Sequence, residues 1–198
     1  MIYDRTCKHT GGLPLGLTHA WWVGARLYRG LGALDAWAGV SSWDEGLRWL
    51  AGQTEPIDEI QFRGHGNWGL VRVGSEALTV AALRPNHRHY RHLEAIRANL
   101  APDALWWFRT CDTLGARSGQ EFAQRWAGFF ARPVAGFTHI IGPYQSGLHR
   151  LEPDARPHWD PAEGIREGTP EAPLRSMWSR PGLPNTISCL HSTVPAGW

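Results

Sequence analysis

The chain has 198 residues and a formal net charge of +2, which is enough for one substantial domain and gives no reason to expect a nucleic-acid partner. A domain of this size buries roughly 70% of its unfolded surface, so its core requires neither a metal nor a disulfide. Its three cysteines, Cys7, Cys111 and Cys189, are too few for a disulfide scaffold and fit a reducing compartment. The sequence does not begin with a signal-peptide pattern, and no apolar run approaches the ~20 residues that span a bilayer. We therefore expect a soluble, cytoplasmic protein without a membrane partner.

Short apolar runs and amphipathic segments alternate along the first 142 residues. Ser42 and Glu45 fit a capping box at the start of one amphipathic segment, and Pro85 interrupts another. Such alternation predicts an α/β fold with a mostly parallel central sheet. The predicted strands lie at 2–3, 34–40, 57–63, 105–110 and 134–141, and the predicted helices at 20–31, 42–52, 83–100 and 118–130.

Three segments lie outside this alternation. Residues 7–18 are rich in Gly and Pro and predict a loop, and the alternating stretch after Gly66 predicts a small hairpin outside the main sheet. From residue 143 onward proline is frequent and periodicity is poor, which predicts long loops with one strand near 186–190. We expect a single domain over residues 1–198, with a core at 1–142 and a loop-rich extension at 143–198.

Two apolar runs end abruptly at a reactive side chain, Ile60-Gln-Phe-Arg-Gly-His65-Gly66 and Trp106-Trp-Phe-Arg-Thr-Cys111. Functional groups in open α/β sheets collect past the carboxyl ends of the strands, so His65 and Cys111 can meet if their strands are neighbours. A cysteine nucleophile needs such a base, and the backbone N–H groups of Gly66 and Cys111 can donate to a developing oxyanion. The alternative is that Cys111 is a small buried hydrophobe and His65 a turn residue.

At these residues the chain resembles the caspase–gingipain–legumain clan of cysteine peptidases, in which His-Gly follows one strand and the catalytic Cys follows the next. The nearer likeness is to a bacterial branch of the clan, an uncharacterised domain of large repeat-containing surface proteins. Thr110 stands where the clan usually has a smaller residue. The likeness covers about residues 57–142, and its matching stretches are Ile60-Gln-Phe-Arg-Gly-His65-Gly66-Asn-Trp-Gly69, Phe108-Arg-Thr-Cys111 and Gly115-Ala-Arg-Ser-Gly119-Gln-Glu-Phe122.

The resemblance implies a caspase-like three-layer α/β/α sandwich and a cysteine endopeptidase. Cys111 would be the nucleophile and His65 the general acid/base, acting on a protein or peptide substrate without a cofactor or a metal. Some members of the clan are inactive, so the alternative is a catalytically inactive protein-interaction module on the same fold. A third possibility is a hydrolase or transferase that uses the same pair of residues on a non-peptide acyl group.

The resemblance also suggests a substrate preference. In related peptidases the residue two before the catalytic Cys lines the pocket for the side chain preceding the scissile bond, and here that residue is Arg109. Residues i and i+2 of a strand face the same way, and a guanidinium binds a carboxylate bidentately. We therefore expect cleavage after Asp or Glu, and we expect Arg63 to add to the positive electrostatic field of Arg109. The alternative is an internal pair between Arg109 and Asp112 or Asp103.

Further candidates are weaker. Trp68, just past His65, is a candidate wall of the substrate cleft. The histidine-rich run at 87–92 is consistent with a metal site, but a solvated helix face is favoured. Cys189 and His191 lack the position past a strand that the first pair has. The tryptophan pairs at 21–22 and 106–107 are expected in the core.

Overall fold

A mostly parallel six-stranded sheet forms the centre of the computed structural model, which describes residues 1–8, 16–195 and 198. Part of the loop predicted at 7–18 thus lies outside the described residues. The strands of this main sheet are β1 (Ile2–Asp4), β2 (Ala38–Val40), β3 (Ile57–Arg63), β7 (Leu100–Arg109), β8 (Val134–Phe137) and β10 (Leu148–Leu151). Their order across the sheet is β10-β8-β7-β3-β1-β2. Every neighbouring pair is parallel except β10 with β8, which confirms the predicted α/β sheet.

In the part of the chain that the structure describes, three small antiparallel sheets accompany the main one. The hairpin predicted after Gly66 is confirmed and has a third strand: β4 (His65–Asn67), β5 (Leu70–Val73) and β6 (Glu76–Thr79). In the C-terminal part, β9 (Tyr144–Gln145) pairs with β13 (Ile187–Ser188), and β11 (Ile165–Gly168) pairs with β12 (Pro173–Ser176).

The described residues form four α-helices: α1 (Leu17–Gly30), α2 (Trp43–Ala51), α3 (Tyr90–Ala98) and α4 (Ala116–Phe130). The predicted cap of α2 is confirmed, since Ser42 Oγ accepts from the N–H of Glu45. The Glu45 carboxylate reaches back to the N–H of Ser41, one residue earlier than a standard capping box. Among the described helices, none is long and apolar enough to cross a membrane.

The side chains of the central strands alternate between two apolar layers. Ile60, Phe62, Trp106 and Phe108 are buried on one face, in a core that also contains residues of α2, α3 and α4. Trp107 lies on the other face together with side chains of β8 and β10, where the C-terminal extension covers one part of the sheet and α1 covers another. The protein is therefore a three-layer α/β/α sandwich, with α1 and the extension forming the layer opposite the other helices.

Several element boundaries differ from the predicted ones. The helix predicted at 83–100 is wrong in its first part, because residues 80–83 form a 3₁₀ turn and the α-helix begins only at Tyr90, after Pro85. Strand β7 begins at Leu100 rather than 105. It accommodates Pro102 where its register against β3 shifts between Ile57 and Glu59. Strand β8 ends at Phe137, four residues before its predicted end at 141, and the second strand begins only at Ala38.

The C-terminal part contains more regular structure than the single strand predicted at 186–190. Strand β10 belongs to the main sheet, although it lies beyond the predicted core boundary at residue 142. Trp159 is buried against the α4 side of the sheet and donates from Nε1 to the carbonyl of Leu114. Short strands with poor periodicity give little sequence signal, so tertiary packing rather than local pattern defines this part of the fold. The predicted burial of the tryptophans at 106–107 is confirmed, whereas Trp22 is 43% exposed.

Candidate functional site

The carboxyl ends of three neighbouring parallel strands meet at one edge of the main sheet. Strand β3 lies between β1 and β7, and Arg63 at the end of β3 is paired in register with Arg109 at the end of β7. His65 and Cys111 each lie two residues beyond this pair, so their predicted positions past neighbouring strands are confirmed. Cys7 lies just beyond the end of β1, and a second thiol is therefore present at the same edge.

Gly66 lies against the loop that carries Cys111. A Cβ at position 66 would collide with Thr113 Oγ1 and with the carbonyl oxygen of Cys111, and would come within 2.8 Å of Thr110 Cβ. The two threonines bond to each other, with their hydroxyl oxygens 2.6 Å apart. The absence of a side chain at position 66 thus allows the His65 segment to contact the Cys111 loop.

The imidazole of His65 contacts Cys7. Its Nε2 lies 3.1 Å from Cys7 Sγ, and Trp21 packs against the ring edge-on at a centroid distance of 6.2 Å. Cys111 Sγ instead lies 4.0 Å from the carbonyl oxygen of Ile141. Within the described residues no hydrogen bond joins His65 to Cys111. Sequence reasoning missed Cys7, although the strand-end rule that singled out Cys111 applies equally to the residue that follows β1.

Both thiols at this edge are protonated at neutral pH. Burial, with the charge of Asp112 adding to it, raises the pKa of the Cys111 thiol to about 11. Burial and the charge of Asp4 raise the pKa of Cys7 to about 11 as well. Helix α4 begins only at Ala116, and the field of a helix dipole falls off within about one turn. Activation of Cys111 therefore requires a base that takes its proton.

Cys111 lies between two pockets. The first, which we call the α1 pocket, has a volume of about 430 Å³ and is lined by Trp21, Tyr28, Arg63, His65, Cys111 and Leu190, among others. The second, the hairpin pocket, has a volume of about 470 Å³ and is lined by Trp68, Cys111, Asp112, Leu174, Ser176 and Trp178, among others. An extended peptide bound across Cys111 would therefore have one pocket on each side of the cysteine.

Arg109 is buried and its guanidinium is largely occupied by the C-terminal extension. Nη1 donates to the carbonyl of His191 at 2.7 Å, and Nη2 donates to Gln145 Oε1 at 2.8 Å and to the carbonyl of Cys189 at 3.2 Å. Burial and the neighbouring Arg63 lower the pKa of Arg109 to about 10. Among the described residues Arg109 forms no ion pair with Asp112 or Asp103 and its hydrogen bonds go to neutral oxygens, although the charge of Glu59 partly opposes the lowering of its pKa. The same contacts leave Arg109 few donors for a substrate.

Arg63 differs from Arg109 in having no such partners. It is 7% exposed, and its Nε and Nη2 are buried without a hydrogen-bond partner. Its guanidinium lies over the ring of Tyr28 at 4.9 Å, on the wall of the α1 pocket. Glu59, on the same strand, accepts from Gln61 and forms none of the ion pairs of the described residues. The charge of Glu59 interacts with that of Arg63, but the buried guanidinium keeps donors without a partner, so Arg63 is a candidate for binding an anion.

Asp112, directly after Cys111, connects the Cys111 loop to the extension. Its φ of 40° lies in the left-handed region, which Asp tolerates better than most residues. Its Oδ2 accepts a hydrogen bond from Ser176 Oγ in β12, and its backbone N–H donates to the carbonyl of His139 at 2.9 Å. Burial raises the pKa of the Asp112 carboxyl to about 6. His139 therefore holds the backbone of Asp112, and Ser176 of the extension holds its side chain, on the far side of Cys111.

The weaker candidates have structural partners. His89 Nε2 lies 2.8 Å from Glu76 Oε1, and among the described residues there is no group of three or more side chains that could hold a metal ion. His191 Nδ1 lies 3.1 Å from Ser188 Oγ, and the carbonyls of Cys189 and His191 bind Arg109. Trp68 is half-buried in the wall of the hairpin pocket, at the place predicted for a cleft wall.

The comparisons with known proteins identify a family but no function. The model of the family described as Domain of unknown function (DUF4347) matches residues 39–152. That range contains His65, Cys111 and both buried arginines, but neither Cys7 nor the last part of the extension. Neither a curated protein nor a solved structure matches the chain.

Proposed function

We propose that this chain, which belongs to the DUF4347 family, is a cysteine endopeptidase in which Cys111 is the nucleophile and His65 the general acid/base. The observation that carries the proposal is the equivalent position of the two residues past neighbouring strands, with Gly66 packed against the Cys111 loop. The three cysteines are free thiols, which suits activity in a reducing compartment such as the cytoplasm.

The reaction follows from the chemistry of these groups. His65 takes the thiol proton, and the thiolate of Cys111 attacks the scissile carbonyl carbon to form a C–S bond. The backbone N–H groups of Gly66 and Cys111 donate to the developing oxyanion. The C–N bond then breaks as His65 returns the proton to the leaving amine, and water hydrolyses the thioester to release the acid and the free thiol. His65 is exposed, so its ring can turn towards Cys111 without repacking the core.

Arg63 supports a preference for an acidic side chain before the scissile bond. Its buried and unpartnered guanidinium lines the α1 pocket together with His65 and Cys111. A substrate carboxylate in that pocket would supply the missing acceptors in a site of low dielectric, where a charge-assisted hydrogen bond is strong. Arg109 would act indirectly, by holding the pocket wall formed by the extension.

The test is cleavage of a mixed peptide library by the wild type and by Cys111→Ala, with the products identified by mass spectrometry. We expect cuts that occur only with the wild type and that follow Asp or Glu. Arg63→Gln should lower kcat/KM for acidic substrates by at least about tenfold, the loss for one charge-assisted contact. Arg72→Gln, which changes an exposed arginine of β5, is the matched control. Equal cleavage by the wild type and Cys111→Ala would disprove the proposal.

A second candidate function is a catalytically inactive module that binds acidic peptides in the α1 pocket. The observation that favours it is that Cys111 Sγ contacts the carbonyl oxygen of Ile141 and not His65, in a buried position that raises the pKa of the thiol. Such a module would bind Asp- or Glu-containing peptides in the same library without cutting them, and Arg63→Gln would abolish the binding.

A further inference from the structure

A chain of hydrogen-bonding groups extends from His65 through Cys7 to a buried carboxylate. Cys7 Sγ lies 3.1 Å from His65 Nε2 and 3.5 Å from Asp4 Oδ2. Asp4 is completely buried, and its Oδ1 accepts from the N–H and the hydroxyl of Thr6, both at 2.7 Å. Its Oδ2 also accepts from the N–H of Gly74 at 2.8 Å. The carboxylate that holds Cys7 is therefore fixed in place by three hydrogen bonds from the backbone and from Thr6.

This series of hydrogen bonds determines which nitrogen of His65 carries the proton. A thiol has a single S–H, and here it donates to the Asp4 carboxylate. The sulfur can then only accept from His65, so Nε2 carries the hydrogen in the neutral ring. In this tautomer Nδ1 is the nitrogen that can accept a proton. The contact with Cys7 holds the ring where neither nitrogen is hydrogen-bonded to Cys111, whose Sγ lies instead near the carbonyl oxygen of Ile141, so the resting imidazole is not positioned to act as the base.

We propose that Cys7 is a positioning residue that holds the His65 imidazole in a resting state, and that breaking the Cys7–His65 contact releases the imidazole to Cys111. This inference rests on the proposed roles of His65 and Cys111 and adds a control step to them. Substrate entering the α1 pocket contacts His65 and Trp21, which packs on the imidazole, so substrate binding can turn the ring.

The test compares the wild type, Cys7→Ala, Cys7→Ser and the neighbouring control Lys8→Ala. Each full-length protein is treated with iodoacetamide at neutral pH, and the alkylation of Cys111 is followed by peptide mass mapping. Cys7→Ala should alkylate Cys111 roughly fivefold faster, the factor for releasing one net hydrogen bond. Cys7→Ser, whose hydroxyl can form the same contacts, should restore slow alkylation, and Lys8→Ala should match the wild type.

Two further readouts separate a positional role from a structural one. The ¹⁵N signals of the His65 ring should show an Nε2–H tautomer in the wild type and in Cys7→Ser, but not in Cys7→Ala. The pH profile of Cys111 alkylation should move to lower pH in Cys7→Ala, because a nearby base then shares the thiol proton. Unchanged or slower alkylation of Cys111 in Cys7→Ala would overturn the inference. A second contrary result would be that iodoacetamide modifies Cys7 in preference to Cys111 in the wild type and that Cys7→Ala no longer cleaves peptides.

Peptide cleavage distinguishes this inference from the proposed function. Faster alkylation of Cys111 in Cys7→Ala without cleavage by any variant would support the resting contact and reject the peptidase. Cleavage by the wild type at the same rate as by Cys7→Ala, with equal alkylation, would support the peptidase and reject the resting contact.

Discussion

Arg63 is a buried charge that lowers the stability of the fold at a position where the proposed function would use it. Its guanidinium is 7% exposed, and two of its nitrogens have no hydrogen-bond partner. Natural proteins keep such a charge where a ligand uses it, and replacing it with an apolar side chain of similar length commonly stabilises the fold.

We therefore expect Arg63→Met to raise the free energy of unfolding by about 1–3 kcal/mol, as measured by urea denaturation. Arg72→Met, at an exposed position, should change it by no more than about 0.5 kcal/mol. The stabilised Arg63→Met protein should lose any preference for acidic peptides. A large loss of stability in Arg63→Met would show that the guanidinium is a structural element instead.

Asp112 gives the fold a stability that depends on pH. Burial raises the pKa of its carboxyl from 3.8 to about 6, so the folded state keeps the proton to higher pH than the unfolded chain does. The protonated carboxyl makes its full contribution to the free energy of unfolding below pH 3.8, and this contribution is lost as the pH rises to about 6.

The Asp112→Asn variant should remove this dependence, since its amide does not titrate and can still accept from Ser176. Relative to the wild type, its free energy of unfolding should rise by about 2–3 kcal/mol across that pH window. Urea denaturation of both proteins below and above the window measures the difference. Parallel pH profiles for the two proteins would contradict the prediction.

At the scale of the elements, two glycines should respond oppositely to the same substitution. A Cβ at Gly66 would collide with the Cys111 loop, whereas a Cβ at Gly128, in α4, meets nothing within 4 Å. Gly66→Ala should destabilise the fold by about 1–3 kcal/mol through overpacking, and Gly128→Ala should stabilise α4 by about 0.5–1 kcal/mol. Thermal denaturation followed by circular dichroism measures both, and equal effects would contradict the collision at position 66.

The sequence predicts the elements that have strong local patterns. The amphipathic period places α1, α2 and α4 within a few residues, and the apolar runs place β3 and the centre of β7. The hydrophobic pattern does not predict elements whose boundaries depend on tertiary packing, as in the short strands of the extension and around Pro85 and Pro102.

In the candidate site too, residues with a strong local pattern were predicted and residues placed by tertiary packing were not. His65 and Cys111 were predicted because each follows a long strand, and their strands proved to be neighbours. Cys7 was missed because β1 has only three residues and its place beside β3 is fixed by sheet order, which local pattern does not contain. The partners of Arg109 were missed for a similar reason, because they lie between 36 and 82 residues further along the chain.

At the scale of the whole molecule, the extension is part of the core rather than an appendage. Ile187 is buried with Trp107 in the layer opposite α4, and Trp159 is buried on the α4 side. Arg109 donates to the extension and Asp112 accepts from it, so both sides of the Cys111 loop are bonded to the same extension.

We therefore expect residues 1–198 to unfold in one cooperative transition, with coincident midpoints by tryptophan fluorescence and far-ultraviolet circular dichroism. A chain that ends at residue 152, where the family match ends, should lose that cooperativity because its core is exposed on both faces of the sheet. Two separate transitions in the full chain, or an unchanged midpoint in the shortened one, would contradict this expectation.

The sheet has short strands at both edges, and this affects how molecules of the protein meet in concentrated solution. The outermost strands, β2 and β10, have three and four residues, while the ten-residue strand β7 lies between two others. Unpaired edge strands can pair with strands of other molecules, and short edge strands protect a sheet against such pairing. The apolar, tryptophan-rich interior strands are thus shielded from intermolecular pairing, which favours resistance to fibril formation as long as the sheet stays folded.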